Sequence, residues 1–145
     1  MDFETVTPEE FGGSLRGLGL NLLTRSVSKE LAFLETVFNL KGHRISDDFA
    51  IVTYGSQVFQ LHADGTYHSH PLLDLLPENP PRGAGVELHL FDTDPDAAHD
   101  AAVRGEYMVL QEPMNKPHGL RETAILSPDG YAWVASRPLT TDEMS

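Results

Sequence analysis

The sequence predicts an α+β domain made of two similar βαβββ halves, on three observations. The order strand, helix, three strands occurs twice. Two helix starts match: Ser26 and Asp94 each stand as a cap, and Gly19 and Glu87 lie at the same offset before them. A duplicated supersecondary unit is a stronger fold signal than any single element. Finally, the strands alternate between two kinds of residue, as a sheet with two different faces requires.

Taken in order, residues 1–14 are polar and acidic and read as an N-terminal arm, either loosely ordered or laid on a partner. Residues 15–76 form the first half with a link helix. In it Leu15 to Thr24 reads as a strand, with Leu18, Leu20 and Leu22 alternating with Gly17, Gly19 and Asn21. Ser26 and Ser28 cap a helix that continues to Asn39, with Leu31, Leu34, Val37 and Phe38 as its buried stripe. His43 to Ser46, Phe49 to Tyr54 and Gln57 to Ala63 read as strands, and a short helix is expected around Leu72 to Leu76. Residues 77–83 are a proline-rich linker. Residues 84–138 form the second half. Its first strand is Ala84 to Phe91, and Asp94-Pro95 opens a helix that stops at Gly105. Tyr107 to Gln111, Leu120 to Leu126 and Tyr131 to Ser136 follow as strands, with Pro128-Asp129-Gly130 as a tight turn. Residues 139–145 are a tail, and the whole reads as one compact domain.

Composition bounds the function. At 145 residues the chain is long enough for one core, and 40% apolar residues suit a globular protein. There is no cysteine, which excludes disulfides, thiolate metal sites and a cysteine nucleophile. The net charge of −12, with ten scattered Lys and Arg, argues against nucleic acid and anionic membrane surfaces as partners. No apolar run approaches the roughly 18 residues of a membrane span, and the acidic start lacks a signal pattern. The expected location is the cytoplasm. Phosphate-binding glycine loops, dinucleotide fingerprints and nucleophile elbows are all missing.

Three stretches resemble a known family. They are Leu18-Gly-Leu-Asn-Leu-Leu-Thr-Arg-Ser-Val with Leu31-Ala-Phe-Leu and Leu40-Lys-Gly42; Gly85-Val-Glu-Leu-His-Leu-Phe-Asp-Thr-Asp-Pro-Asp-Ala-Ala to Gly105; and Lys116-Pro-His-Gly-Leu-Arg-Glu leading to Ser127-Pro-Asp-Gly-Tyr-Ala-Trp. Together they are similar to the vicinal-oxygen-chelate superfamily of glyoxalases, bleomycin-resistance proteins and extradiol dioxygenases. The resemblance implies curved half-barrels that enclose a small-molecule pocket, paired within one chain or across a homodimer. It does not specify a reaction.

Metal-dependent members place a ligand in the first and last strand of each half. The matching positions here are Gly19, Gln60, Glu87 and Val134. Only Glu87 is a strong ligand, so no cofactor is expected; a divalent metal, if held, would use Glu87 and Gln60. Alternation adds Asn21, His62 and His89 to the pocket face, with Glu122, Ala124, Ala132 and Ser136 by the same matching. Glu87, as a carboxylate expected on an enclosed face, is the candidate acid–base group, with His89 and Glu122 assisting. Asn21, Gln60 and His62 are candidate binding residues. So are Lys116 and His118, from a loop at the pocket mouth, and Arg121. A structural carboxylate at Glu87 and a solvent-facing Lys116 turn are the plain alternatives. Three functions remain open: a metal-free enzyme acting on a small polar or anionic substrate, a non-catalytic sequestering protein, and a metal-dependent lyase or dioxygenase.

Overall fold

A computed structural model describes all residues, Met1–Ser145. The chain divides into two compact units, Met1–Glu35 with Leu40–Leu76, and Thr36–Asn39 with Pro77–Ser145. Each unit holds one four-stranded sheet, and the two sheets share one topology. The first sheet has the order β1-β4-β3-β2, from β1 (Asn21–Thr24), β2 (Lys41–His43), β3 (Phe49–Tyr54) and β4 (Gln57–Ala63). The second has the order β5-β8-β7-β6, from β5 (Glu87–Phe91), β6 (Met108–Asn115), β7 (Leu120–Leu126) and β8 (Ala132–Pro138). In both, the first strand of the half lies parallel to the last, and the other pairings are antiparallel. The expected α+β arrangement of two βαβββ halves is therefore the observed one.

Helix α1 (Pro8–Ser14) precedes the first half, α2 (Val27–Phe38) follows β1, and α3 (Pro95–Arg104) follows β5. Caps start α2 and α3 where the sequence places them. The Ser26 hydroxyl accepts from the Lys29 amide, and the Asp94 carboxylate accepts from the amides of Asp96 and Ala97. Asn39, at φ 58°, ends α2 in the left-handed conformation that favours Asn or Gly there.

Register decides which residues share a face. In the first sheet Leu22, Leu61 and Ala50 form one row, all buried. Gly42 lies on the same face, where an added Cβ would come within 2.7 Å of Leu31 in α2. In the second sheet Leu90, Ala135 and Thr123 form the equivalent row, and α3 packs against β6, β7 and β8.

Several strands differ from expectation: β5 starts at Glu87 rather than Ala84, β6 runs on to Asn115 rather than ending at Gln111, and the first two strands depart further. Leu15 to Leu20 is not strand: Gly17 turns the chain at φ 72° and Leu18 is fully exposed, so the Leu-Gly alternation there has nothing to bury against. Strand β2 ends at His43 because Arg44 takes φ 50°. The last strand of the first half, by contrast, spans the expected residues. Among residues 1–14, the structure shows α1, started by a capping box of Thr7 and Glu10. Val6 and Phe11 pack with Ile51 of β3 in a buried cluster bordered by Phe3, Phe49 and Val58. The open face of the first sheet is thus covered by the chain's own N-terminal segment.

Candidate functional site

In the second unit, β5 sends Glu87, His89 and Phe91 to the face opposite α3, because alternate residues of a strand share a face. Beside them the central strands offer short side chains. His89 lies in a row with Val134 and Ala124, and Phe91 in a row with Ser136 and Glu122. The result is a low, largely apolar floor edged by titratable groups.

His89 connects those groups. Its Nε2 is 3.6 Å from Glu87 Oε1 and its Nδ1 is 3.8 Å from Glu122 Oε2. His118 Nε2 lies 3.5 Å from the other Glu122 oxygen. Each imidazole nitrogen of His89 therefore faces a different carboxylate. The Phe91 ring stacks on His89, with centroids 5.4 Å apart and planes at 23°.

The two carboxylates differ in a way the sequence did not suggest. Glu87, expected to be enclosed, has a side chain 65% exposed, whereas that of Glu122 is only 9% exposed. Glu122 Oε2 and Ser136 Oγ, cross-strand neighbours on one face, are both buried without a hydrogen-bond partner. Buried polar atoms left unpaired are costly and uncommon, and two on one face call for an explanation.

Apart from His118, the remaining candidates fall outside the His89 group. Lys116 and His118 belong to the turn between β6 and β7, closed by the Lys116 amide donating to Leu120 O and the Gly119 amide donating to Lys116 O. Arg121 is not brought to the His89 group. It points to the α3 side, where it grips Asp96 with two bonds of 2.8 and 2.9 Å and Asn115 with a third of 2.9 Å. That guanidinium holds the Asp96 carboxyl below its ordinary range. In the first unit, Asn21, Gln60 and His62 come together on the open face. His62 Nε2 lies 3.0 Å from Gln60 Oε1, Asn21 Nδ2 donates to Tyr67 Oη at 3.3 Å, and burial lowers the His62 pKa. Phe91 was missed by the sequence reading, although its parity with Glu87 and His89 was the available signal.

The family's metal positions can be tested for fit. Gly19 precedes β1, and Val134 is buried and offers no ligand atom. Gln60 offers only a weak amide oxygen, which leaves Glu87 as the one strong ligand of the four positions. No three His, Cys, Asp or Glu side chains are grouped to hold a metal ion. The carboxylates near His89 face opposite ring nitrogens and so do not converge with it on one point. The residues present do not fit the family's ligand set.

Comparison with known proteins bears on the class. The sequence model of the Glyoxalase/Bleomycin resistance protein/Dioxygenase superfamily matches residues 19–135. The chain belongs to that superfamily. No curated protein matches it in sequence. Among solved structures, it is similar to a glyoxalase/bleomycin resistance protein/dioxygenase family enzyme from Burkholderia phytofirmans PsJN, with a TM-score of 0.69 and 16% identity over 83% of this chain and 96% of that one. A glyoxalase/bleomycin resistance protein/dioxygenase from Nocardioides matches with a TM-score of 0.66 and 18% identity, over 88% of this chain and 87% of that one. A glyoxalase-related enzyme from Fulvimarina pelagi matches with a TM-score of 0.67 and 14% identity, over 88% and 95%. At such identities the likeness is one of fold.

Proposed function

We propose that this superfamily member binds a small polar molecule on the open face of its second sheet and moves a proton there without a metal. The observation behind the reading is His89 set between Glu87 and Glu122, with one carboxylate facing each ring nitrogen. Buried Glu122 positions the ring and faces Nδ1. Nε2 and the exposed Glu87 face the open side, where a substrate proton is taken up or returned. Lys116 and His118, on the adjoining turn, contact the substrate's polar end. The 3.6 and 3.8 Å separations are long for hydrogen bonds, and such contacts commonly tighten when substrate binds. Glu87 and Gln60 hold no metal in this reading. The protein acts in the cytoplasm as a homodimer, in keeping with its family, and light scattering after size exclusion tests the dimer.

A second reading rests on a different observation. The half-exposed Phe91 ring beside two carboxylates suits capture of a flat cationic molecule without chemistry.

One experiment separates the two. Ligands found by thermal shift are incubated in D2O with EDTA-treated protein, and solvent deuterium uptake is followed by NMR. The proton-transfer reading expects uptake that survives EDTA and falls about a hundredfold or more in His89→Gln and Glu87→Gln. A ligand that binds tightly, exchanges no proton and ignores both substitutions sinks it.

A further inference from the structure

We infer that the first unit carries a binding site of its own, beneath α1, for a compact apolar molecule ending in a single carboxylate. A cavity of about 380 Å³ lies there, within the range of small-molecule sites. Val6, Phe11, Leu15, Phe49 and Ile51 supply apolar walls. Only three lining residues, Thr7, Arg44 and Gln60, are polar.

Gln60 and Arg44 both present donors. Gln60 uses its carbonyl oxygen on His62 Nε2 at 3.0 Å, which leaves its amide N–H groups to donate. Arg44 gives Nη1 to the Glu4 carbonyl at 3.3 Å, and its other guanidinium N–H groups remain for a ligand. The Glu4 carboxylate is already engaged, by His43 Nδ1 at 3.2 Å and by the Arg44 amide at 3.2 Å. An apolar chamber whose spare polar groups are donors selects an acceptor-bearing ligand, and a guanidinium among them favours a carboxylate. None of these residues belongs to the His89 group, so the two sites stand or fall separately.

Gly12 offers a second position at which to perturb the cavity. It lines the cavity, and a Cβ added there meets no atom within 4 Å. Gly12→Leu therefore adds a side chain at the cavity wall without a Cβ clash.

The test is a titration of the full-length protein with phenylacetate, and with neutral phenylacetamide, followed by amide NMR shifts. Saturable shifts are expected at Phe11, Gly12, Phe49 and Ile51. Arg44→Gln should weaken phenylacetate about tenfold and leave phenylacetamide unchanged. Gly12→Leu should weaken binding of both without lowering the Tm. Absence of saturable shifts with millimolar phenylacetate overturns the inference. So do shifts confined to β5 and β7, or an affinity indifferent to Arg44→Gln; should Gly12→Leu fail to fold, Arg44→Gln alone decides.

Discussion

The two halves share a topology and differ in what lies on their open faces. In the first, α1 lays Phe11 against Ile51, Phe49 and Val58, with the cavity lined by Arg44 and Gln60 beside them. In the second, Glu87, His89 and Phe91 stand on a face that no segment of the kind covers, and Glu122 is sunk among short side chains. Duplication repeats a scaffold, and what is laid over each copy decides how much of its face is left open.

The sharpest way to break this comparison is through the two phenylalanines. Phe11→Ala removes a buried ring and should cost about 3 kcal/mol by urea denaturation, with faster amide exchange in residues 6–15. Phe91→Ala, 55% exposed, should change stability by no more than about 0.5 kcal/mol. Equal losses would erase the distinction between covered and open faces.

The matching turns offer a second contrast. Gly55 (φ 58°) and Gly130 (φ 84°) each join the last two strands of a half. Around Gly55 an added Cβ meets nothing, whereas at Gly130 it would run into Pro81 Cα. Gly55→Ala should cost about 1 kcal/mol from the left-handed conformation alone. Gly130→Ala adds a clash with backbone and should cost about 2 to 4 kcal/mol, read from chemical denaturation.

Smaller effects come from ion pairs found in the second half. Asp96→Asn breaks a two-bond grip on Arg121 that is partly open to water, and should cost at most about 1 kcal/mol. Arg137 holds Glu143 through bonds of 2.8 and 3.0 Å, and with the Thr140 amide pulls its pKa down to about 2. A carboxylate whose pKa falls on folding stabilises above its ordinary 4.5, and that contribution fades as pH drops from 4.5 toward 2. Glu143→Gln should flatten this limb of acid unfolding, followed through the single tryptophan, Trp133.

Much of the scaffold was legible because its signals are local. Asp94-Pro95 and Gly105 bracket α3, and the turns at Asp47-Asp48 and Gly55-Ser56 bound β3 and mark the start of β4. The Leu15 to Leu20 stretch misled because alternation reports a face only where a neighbouring strand is present to bury it. Parity along β5 placed Glu87 and His89 together, and matching of the halves placed Glu122 beside them. Their degrees of burial were not legible, since these depend on how short Ala124, Val134 and Ser136 are across two other strands. Arg121 shows the same limit: its partner Asp96 lies on a helix that no strand period describes.

The parallel pairing of β1 with β4, and of β5 with β8, has a consequence for synthesis. In each half the strand made last sits inside the sheet, between the first and third made. Neither sheet can be completed from its early strands, because the position between them stays vacant until the final one emerges. On the ribosome the second sheet must therefore wait for Ala132–Pro138, and its pairing bridges long stretches of chain, a topology that slows folding. The first sheet needs only residues up to Ala63, so it has the opportunity to form while the second is still being made.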